Sequence, residues 1–343
     1  MSRFHCWLGF SIILLVLCLL SCRRIPLYEA ESGIYLQLEQ TLPALELKEG
    51  EDVRLPASVR VCFYDPESHG LAAEEFLPAK GGFINVAAGR YDMLVYSLGT
   101  EITRVDGTQE RALGRAFSGD AGQMIKVSKA DGSLSRNYGV IYEPDHLWVG
   151  RLSGVQVPVH SDRDPTVVVE CRMEPLLESY TLEVRHIENA ESIREAVVYI
   201  TGQAPCKYLW DGRFPLTPSA IFFPLTVGGS SGSGSGGNGD ANSDGGSSDG
   251  QQGDDRQTIR TVFNTFGRIP GVGSEVYLNV QVTAGTGARY QWIFDVSDQF
   301  DNPDNTEHRI LITEPVVVPD DGSTGGLNPT VGDWQTEIID IHL

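Results

Sequence analysis

The chain has 343 residues, 41% of them hydrophobic, and a formal net charge of −20 from 46 Asp and Glu against 26 Lys and Arg. Such a length ordinarily divides into two domains of roughly 150 residues, each with enough apolar material for a packed core. The acidity argues against a nucleic-acid partner, whose phosphates need a basic footprint, and against adhesion to anionic lipid by charge alone.

Arg3 and His5 open a short polar stretch, and residues 10–20 are almost unbroken Ile, Leu, Val and Cys. About a dozen apolar residues are too few for a transmembrane helix, which needs ~20, but they suit an export signal. The stretch closes on Leu19-Leu20-Ser21-Cys22, which resembles a bacterial lipobox. The resemblance implies cleavage between Ser21 and Cys22, small Ser21 fitting the peptidase pocket. The Cys22 thiolate is then the nucleophile that takes a diacylglyceryl group. Residues 1–21 are thus read as a lipoprotein signal peptide and residues 22–32 as a lipidated tether.

From residue 33 onward the pattern is short alternating runs separated by Gly, Asp, Ser and Pro. Strands are expected at 34–39, 59–64, 83–86, 91–98, 101–105, 123–127, 146–149, 154–159 and 166–173, with a loop over 42–56. Pro175 marks the boundary between a first domain, 33–175, and a second, 176–343. The second repeats the rhythm at 180–187, 197–201, 219–227, 258–266, 275–283, 289–296, 307–313 and 337–341, with room for a helical turn or two over 189–196. Strands of this length and spacing, with no helix-period stretch of twelve residues, predict an all-β chain of two tandem antiparallel β-sandwich domains. Residues 228–256 break the pattern, being almost entirely Gly, Ser, Asn, Asp and Gln. They cannot bury enough surface to offset their ordering entropy, so they are expected to be a flexible insertion at a hairpin tip.

Little in the chain suggests catalysis. Asp240-Ala241-Asn242-Ser243-Asp244-Gly245 begins like a calcium loop, but Gln251 stands where the bidentate glutamate belongs, so a solvated acidic linker is the expectation. Asp301-Asn302-Pro303-Asp304-Asn305 reads as an Asx turn. His186 and His308 fall on strand-like runs as surface or interface residues, and no nucleophile elbow, P-loop or dinucleotide fingerprint occurs. No metal and no cofactor is implied. Cys62, Cys171 and Cys206 match no zinc spacing. Cys62 and Cys171 lie in strand-like runs where they could be buried neighbours, bridged or, as expected, free thiols. Among the tryptophans, Trp210 is the best candidate for an exposed carbohydrate-stacking ring, and core packing is expected of the rest.

The region after the lipobox, Arg23-Arg24-Ile25-Pro26-Leu27-Tyr28-Glu29-Ala30-Glu31, is similar to that of Bacteroidota lipoproteins of the fimbrillin-like assemblage. Residues 89–96 (Gly-Arg-Tyr-Asp-Met-Leu-Val-Tyr) resemble their G-x-Y-x-h-x-x-Y run, and residues 143–150 also fit. Residues 332–341, around Trp334, resemble the terminal strand of minor and anchor fimbrial subunits. The resemblance implies two transthyretin-like β-sandwiches and a non-enzymatic, structural or adhesive role in surface fimbriae. The chain would be held on the outer membrane by lipid on Cys22 and would contact other subunits by β-strand addition. It marks Ile34, Leu36 and Leu38 as the strand that could be exchanged, with Arg54 or Arg60 as processing sites after it. An anchor keeps its lipidated end, whereas a polymerising subunit is cut. A glycan-binding surface lipoprotein of a polysaccharide-uptake system is the alternative reading.

Overall fold

A computed structural model of the chain describes residues 32–41, 55–129, 135–159, 166–225, 258–269, 275–319 and the backbone of 334–340. The regular structure of the described residues is almost entirely strand. In chain order these are β1 (Gly33–Gln40), β2 (Ser58–Tyr64), β3 (Leu71–Pro78), β4 (Gly81–Asn85), β5 (Gly89–Ser97), β6 (Arg104–Asp106), β7 (Arg115–Phe117), β8 (Asp120–Lys129), β9 (Ser135–Tyr142), β10 (Trp148–Val157) and β11 (Val167–Pro175). There follow β12 (Glu178–Val184), β13 (Ile187–Glu188), β14 (Ile193–Gln203), β15 (Cys206–Tyr208), β16 (Ser219–Pro224), β17 (Ile259–Thr265), β18 (Tyr277–Ala284), β19 (Arg289–Asp295), β20 (Arg309–Ile312), β21 (Val316–Val317) and β22 (Trp334–Asp340). A single 3-10 turn, Ala190–Ser192, and one short helix, α1 (Ser297–Asp301), interrupt them among the described residues.

The first sandwich is a seven-stranded sheet in the order β3-β2-β5-β10-β11-β1-β4. Alternation along each strand sends one set of side chains inward. Ile34 and Leu36 of β1 meet Val59, Val61 and Phe63 of β2, Met93 and Val95 of β5, and Trp148 of β10 in one buried cluster. The other face of β2 and β5, with Cys62, Tyr64, Leu94 and Tyr96, joins Leu176, Leu177, Leu209 and Phe266 in a second cluster. This one welds the first sandwich to the rest of the molecule.

The second sandwich faces a seven-stranded sheet, β19-β18-β14-β16-β9-β8-β22, against β17-β12-β20 and the small β13-β21 pair. Its core holds a column of rings: Phe223 stacks on Phe263 at 4.7 Å, Phe263 on Tyr180 at 5.7 Å, and Tyr180 on His308 at 4.8 Å. The boundary expected at residues 175/176 cuts through this sheet. β8 and β9 precede it in sequence, yet β9 runs parallel to β16, and β22 closes the edge on β8. The sheets are therefore not built from two consecutive lengths of chain.

Other differences from the sequence reading have local causes. The ladders are not all antiparallel: β1–β11, β12–β20, β13–β21 and β9–β16 are parallel. The runs expected at 146–149 and 154–159 form one strand, β10, whose register shifts between Leu152 and Val155 while Gly154 takes φ 68°. A bulge of this kind breaks the alternation that a sequence reader follows. β3, β7, β9 and β15 have no clean alternation and were not expected as strands. His186 and His308 lie just outside strands, in left-handed backbone at φ 56° and 50°. The 228–256 insertion and the calcium-like 240–245 stretch lie outside the described residues.

Cys62, Cys171 and Cys206 are all buried free thiols. Cys62 and Cys171 are not neighbours, because they belong to the clusters on opposite faces of the first sheet. Burial pushes both thiols up to about 11, so neither is a ready nucleophile at neutral pH.

One carboxylate ties a loop to the first sandwich. Asp145 accepts backbone N–H bonds from Glu101 at 2.5 Å, Ile102 at 3.2 Å and Thr103 at 2.5 Å. Burial raises its pKa, but those N–H donors outweigh burial and hold it below the ordinary carboxylate value. A depressed folded-state pKa contributes stability above the unfolded value near 4, which is lost as pH falls through the folded value. Asp145→Asn is therefore expected to cost about 1 kcal/mol at neutral pH after allowance for its partial exposure. It should also flatten the acid limb of stability below about pH 4. Urea melts at pH 7 and pH 3 check this; an unchanged acid limb would show that the charge is not what the loop uses.

Candidate functional site

The site with the clearest construction is the seat of β1. This strand lies between β11, to which it runs parallel, and the edge strand β4, to which it runs antiparallel. Ile34 and Leu36 are fully buried, Leu38 packs against the same cluster, and Tyr35, Gln37 and Glu39 point outward. Gly81 lets β4 approach this closely. It sits at φ 93°, and a Cβ there would collide with the carbonyl of Leu36.

Both ends of β1 are clamped. Ser32 Oγ donates to the Val86 carbonyl at 2.7 Å, and the Val86 N–H donates back to the Ser32 carbonyl at 3.1 Å. At the other end, Thr41 Oγ1 and the Thr41 N–H both donate to the Met173 carbonyl, and Trp148 Nε1 donates to the Thr41 carbonyl at 3.2 Å. Nothing in the alternation of residues 34–39 marks Ser32, Thr41 or Trp148 as clamps. A Gly-Gly pair such as Gly81-Gly82 is the kind of signal that could have pointed to the close approach of β4. Removal of β1 would leave a groove lined by Val59, Val61, Phe63 and Met173, with the unpaired edges of β11 and β4 on either side. Chemically, such a groove can take one extended segment with apolar side chains at alternate positions.

The other sequence-selected residues separate from this seat. Ser21, Cys22 and Arg54 lie outside the described residues. Arg60 stands in β2, hydrogen-bonded to β3 on one side and β5 on the other. Its Nε donates to Glu74 Oε2 at 3.1 Å and its Nη1 to the Tyr96 hydroxyl at 2.8 Å. A protease that needs an extended segment in its cleft reaches the Arg60 peptide bond only after β2 has left the sheet. Trp210 is not the free ring expected of it. It packs against the inter-sandwich cluster, and the Arg111 guanidinium lies over its face, 4.6 Å from the ring centroid. Arg111 is also ion-paired with buried Asp92. Trp148 and Trp292 are core residues, as expected.

Residues 49–222 match the family model of a domain of unknown function, DUF5119. The chain belongs to the DUF5119 family. The matched region runs across residue 175, as the sheets do. This DUF5119 chain is 23% identical over 223 residues to a protein of Bacteroides ovatus named as a candidate fimbrium anchoring subunit, Fim4B; the match covers 64% of this chain. It spans about three fifths, 61%, of that relative's length. A crystal structure of a candidate adhesin from Bacteroides ovatus superposes with a TM-score of 0.54 at 18% identity, over 85% of this chain and 96% of the other. That likeness shows a shared all-β fold. The fimbrial anchor protein Mfa2 of Porphyromonas gingivalis gives a TM-score of 0.45 at 15% identity, over 81% of this chain and 90% of that one.

Proposed function

We propose that this DUF5119 chain is a lipid-anchored cell-surface subunit that serves a fimbrium as an anchor or accessory subunit. Its role is structural or adhesive, without catalysis. Cys22 holds it to the outer membrane, and its sandwiches, read as transthyretin-like, meet neighbouring subunits by β-strand addition. The observation that carries the reading is the seat of β1. A strand eleven residues after the lipobox cysteine is buried on its inner face, paired on both edges and clamped at both ends. A chain that keeps this strand also keeps its lipid, which is what an anchor requires. The likeness to Fim4B supports the same reading. The pairing of Arg60 on both edges of β2 speaks against processing there in the folded chain. A glycan-binding platform around Trp210 has no comparable support, since Arg111 occupies the ring face.

Two measurements on cells test the proposal. Mass spectrometry of the surface form should find an acylated Cys22 as the first residue, and Cys22→Ala should move the protein from the membrane fraction to the soluble one. A mature terminus after Arg54 or Arg60 would make the chain a polymerising subunit instead. Full membrane retention of the Cys22→Ala chain would refute lipid anchoring.

A further inference from the structure

We infer that the end of the first sandwich from which the tether departs is a lipid-facing surface, seated on the membrane by an exposed apolar row across β4, β1 and β11. The inference rests on the anchored reading above and extends it from an attachment point to a defined orientation.

The row is set by register. Tyr35 of β1 stands directly opposite Phe83 of β4 and Val168 of β11, so three outward side chains lie side by side on adjacent strands. They are 44%, 47% and 55% exposed. Val159, just beyond the end of β10, is 71% exposed and belongs to the same end of the sandwich, because β10 finishes where β5 begins, at Val157 opposite Gly89. Farther along, the same outward face turns polar: Gln37 faces Glu170, and Glu39 faces Arg172. The apolar character is therefore confined to the end nearest residue 32. Single exposed apolar side chains need no explanation, but a contiguous row bounded by polar positions marks a contact surface.

The occupant follows from where the chain goes. Gly33 lies eleven residues from Cys22. Eleven residues reach at most about 40 Å when extended and average roughly 20 Å as a relaxed coil. A lipid on Cys22 thus holds this end within a short distance of the bilayer surface, where the effective concentration of lipid is high. Phe and Tyr suit that boundary, since the ring buries while the phenol stays hydrated. With a net charge of −20 the chain is not drawn to anionic lipid as a whole, so close seating calls for apolar contact. Arg90, exposed at the same end, offers the sign of charge that lipid phosphates accept. Seated this way, the outward face of β4, β1 and β11 turns toward the membrane at the tether end, while its polar stretch at Gln37 and Glu39 lies farther from the tether.

The test uses the acylated full-length chain in phosphatidylethanolamine–phosphatidylglycerol vesicles at low protein density. An environment-sensitive dye is placed at Val168→Cys or, as a control, at Leu55→Cys; the three native thiols are buried and will not compete for label. Leu55 is 51% exposed and precedes β2 at the opposite end, where Val59 pairs with Ser97. Nitroxide lipids should quench the dye at position 168 at least threefold more than at 55. Tyr35→Ser combined with Phe83→Ser should abolish that difference while the protein still floats with the vesicles. Flotation with equal quenching at both positions would overturn the lipid-facing surface and leave the anchor standing. Failure of the acylated chain to float would overturn both. Protection of position 168 that appears only at high protein density would assign the row to a second copy of the chain and overturn the inference.

Discussion

Replacing Leu36 with Asp is expected to unfold the first sandwich at ordinary temperature. Leu36 is fully buried among Val59, Val61, Phe63 and Met93, and it sits in the middle of a strand paired on both edges. Loss of the leucine alone costs about 2–5 kcal/mol. An unpaired buried carboxylate adds several kcal/mol more, because no cation among the cluster residues can answer it. A domain with roughly 5–15 kcal/mol of total stability does not survive that sum. Gln37→Asp, one residue away on the wet face, should change stability by no more than about 0.5 kcal/mol. Circular dichroism melts of the two variants make the comparison. A Leu36→Asp chain that melts within a few degrees of the wild type would show that β1 is not seated as described. Added in trans, a peptide of residues 32–41 should restore part of the lost melting temperature if the groove accepts a strand. No recovery at any peptide concentration would weigh against assembly by strand addition at this groove.

Phe263→Ala is expected to be the most damaging single truncation in the second sandwich. Its ring is fully buried between Phe223 and Tyr180, in offset stacks with interplanar angles of 9° and 17°. Truncation of a buried Phe costs about 3–5 kcal/mol, and the stacked pairs account for roughly 0.5–1.5 kcal/mol each beyond area. Phe263→Leu, which preserves most of the volume, should lose less than half as much. Equilibrium denaturation in guanidinium, followed through the aromatic circular dichroism of the column, would read the difference. Equal losses for Ala and Leu would mean that ring stacking, rather than volume, dominates this core.

These predictions draw on two kinds of information. The alternation of residues 34–39 was enough to place a strand and its buried face, because the two-residue period of a strand is a local property of the backbone. Residues 91–98 were legible as a strand, but β5 is buried on both faces. The parallel register of β1 on β11 was not legible, since it joins residues more than 130 positions apart. The same limit explains Cys62 and Cys171. Both lie in good strands, but strand character alone does not say which face of which sheet each side chain meets.

By itself, then, the sequence determined that this is an all-β chain. Only the tertiary structure decided that β8 and β9 cross into the sheet built by the second half, that β1 lies locked between β11 and β4, and that Arg111 covers Trp210. The physical reason is that strand formation answers to neighbours two residues away, whereas strand pairing is a choice among all exposed edges, made by burial across the whole chain.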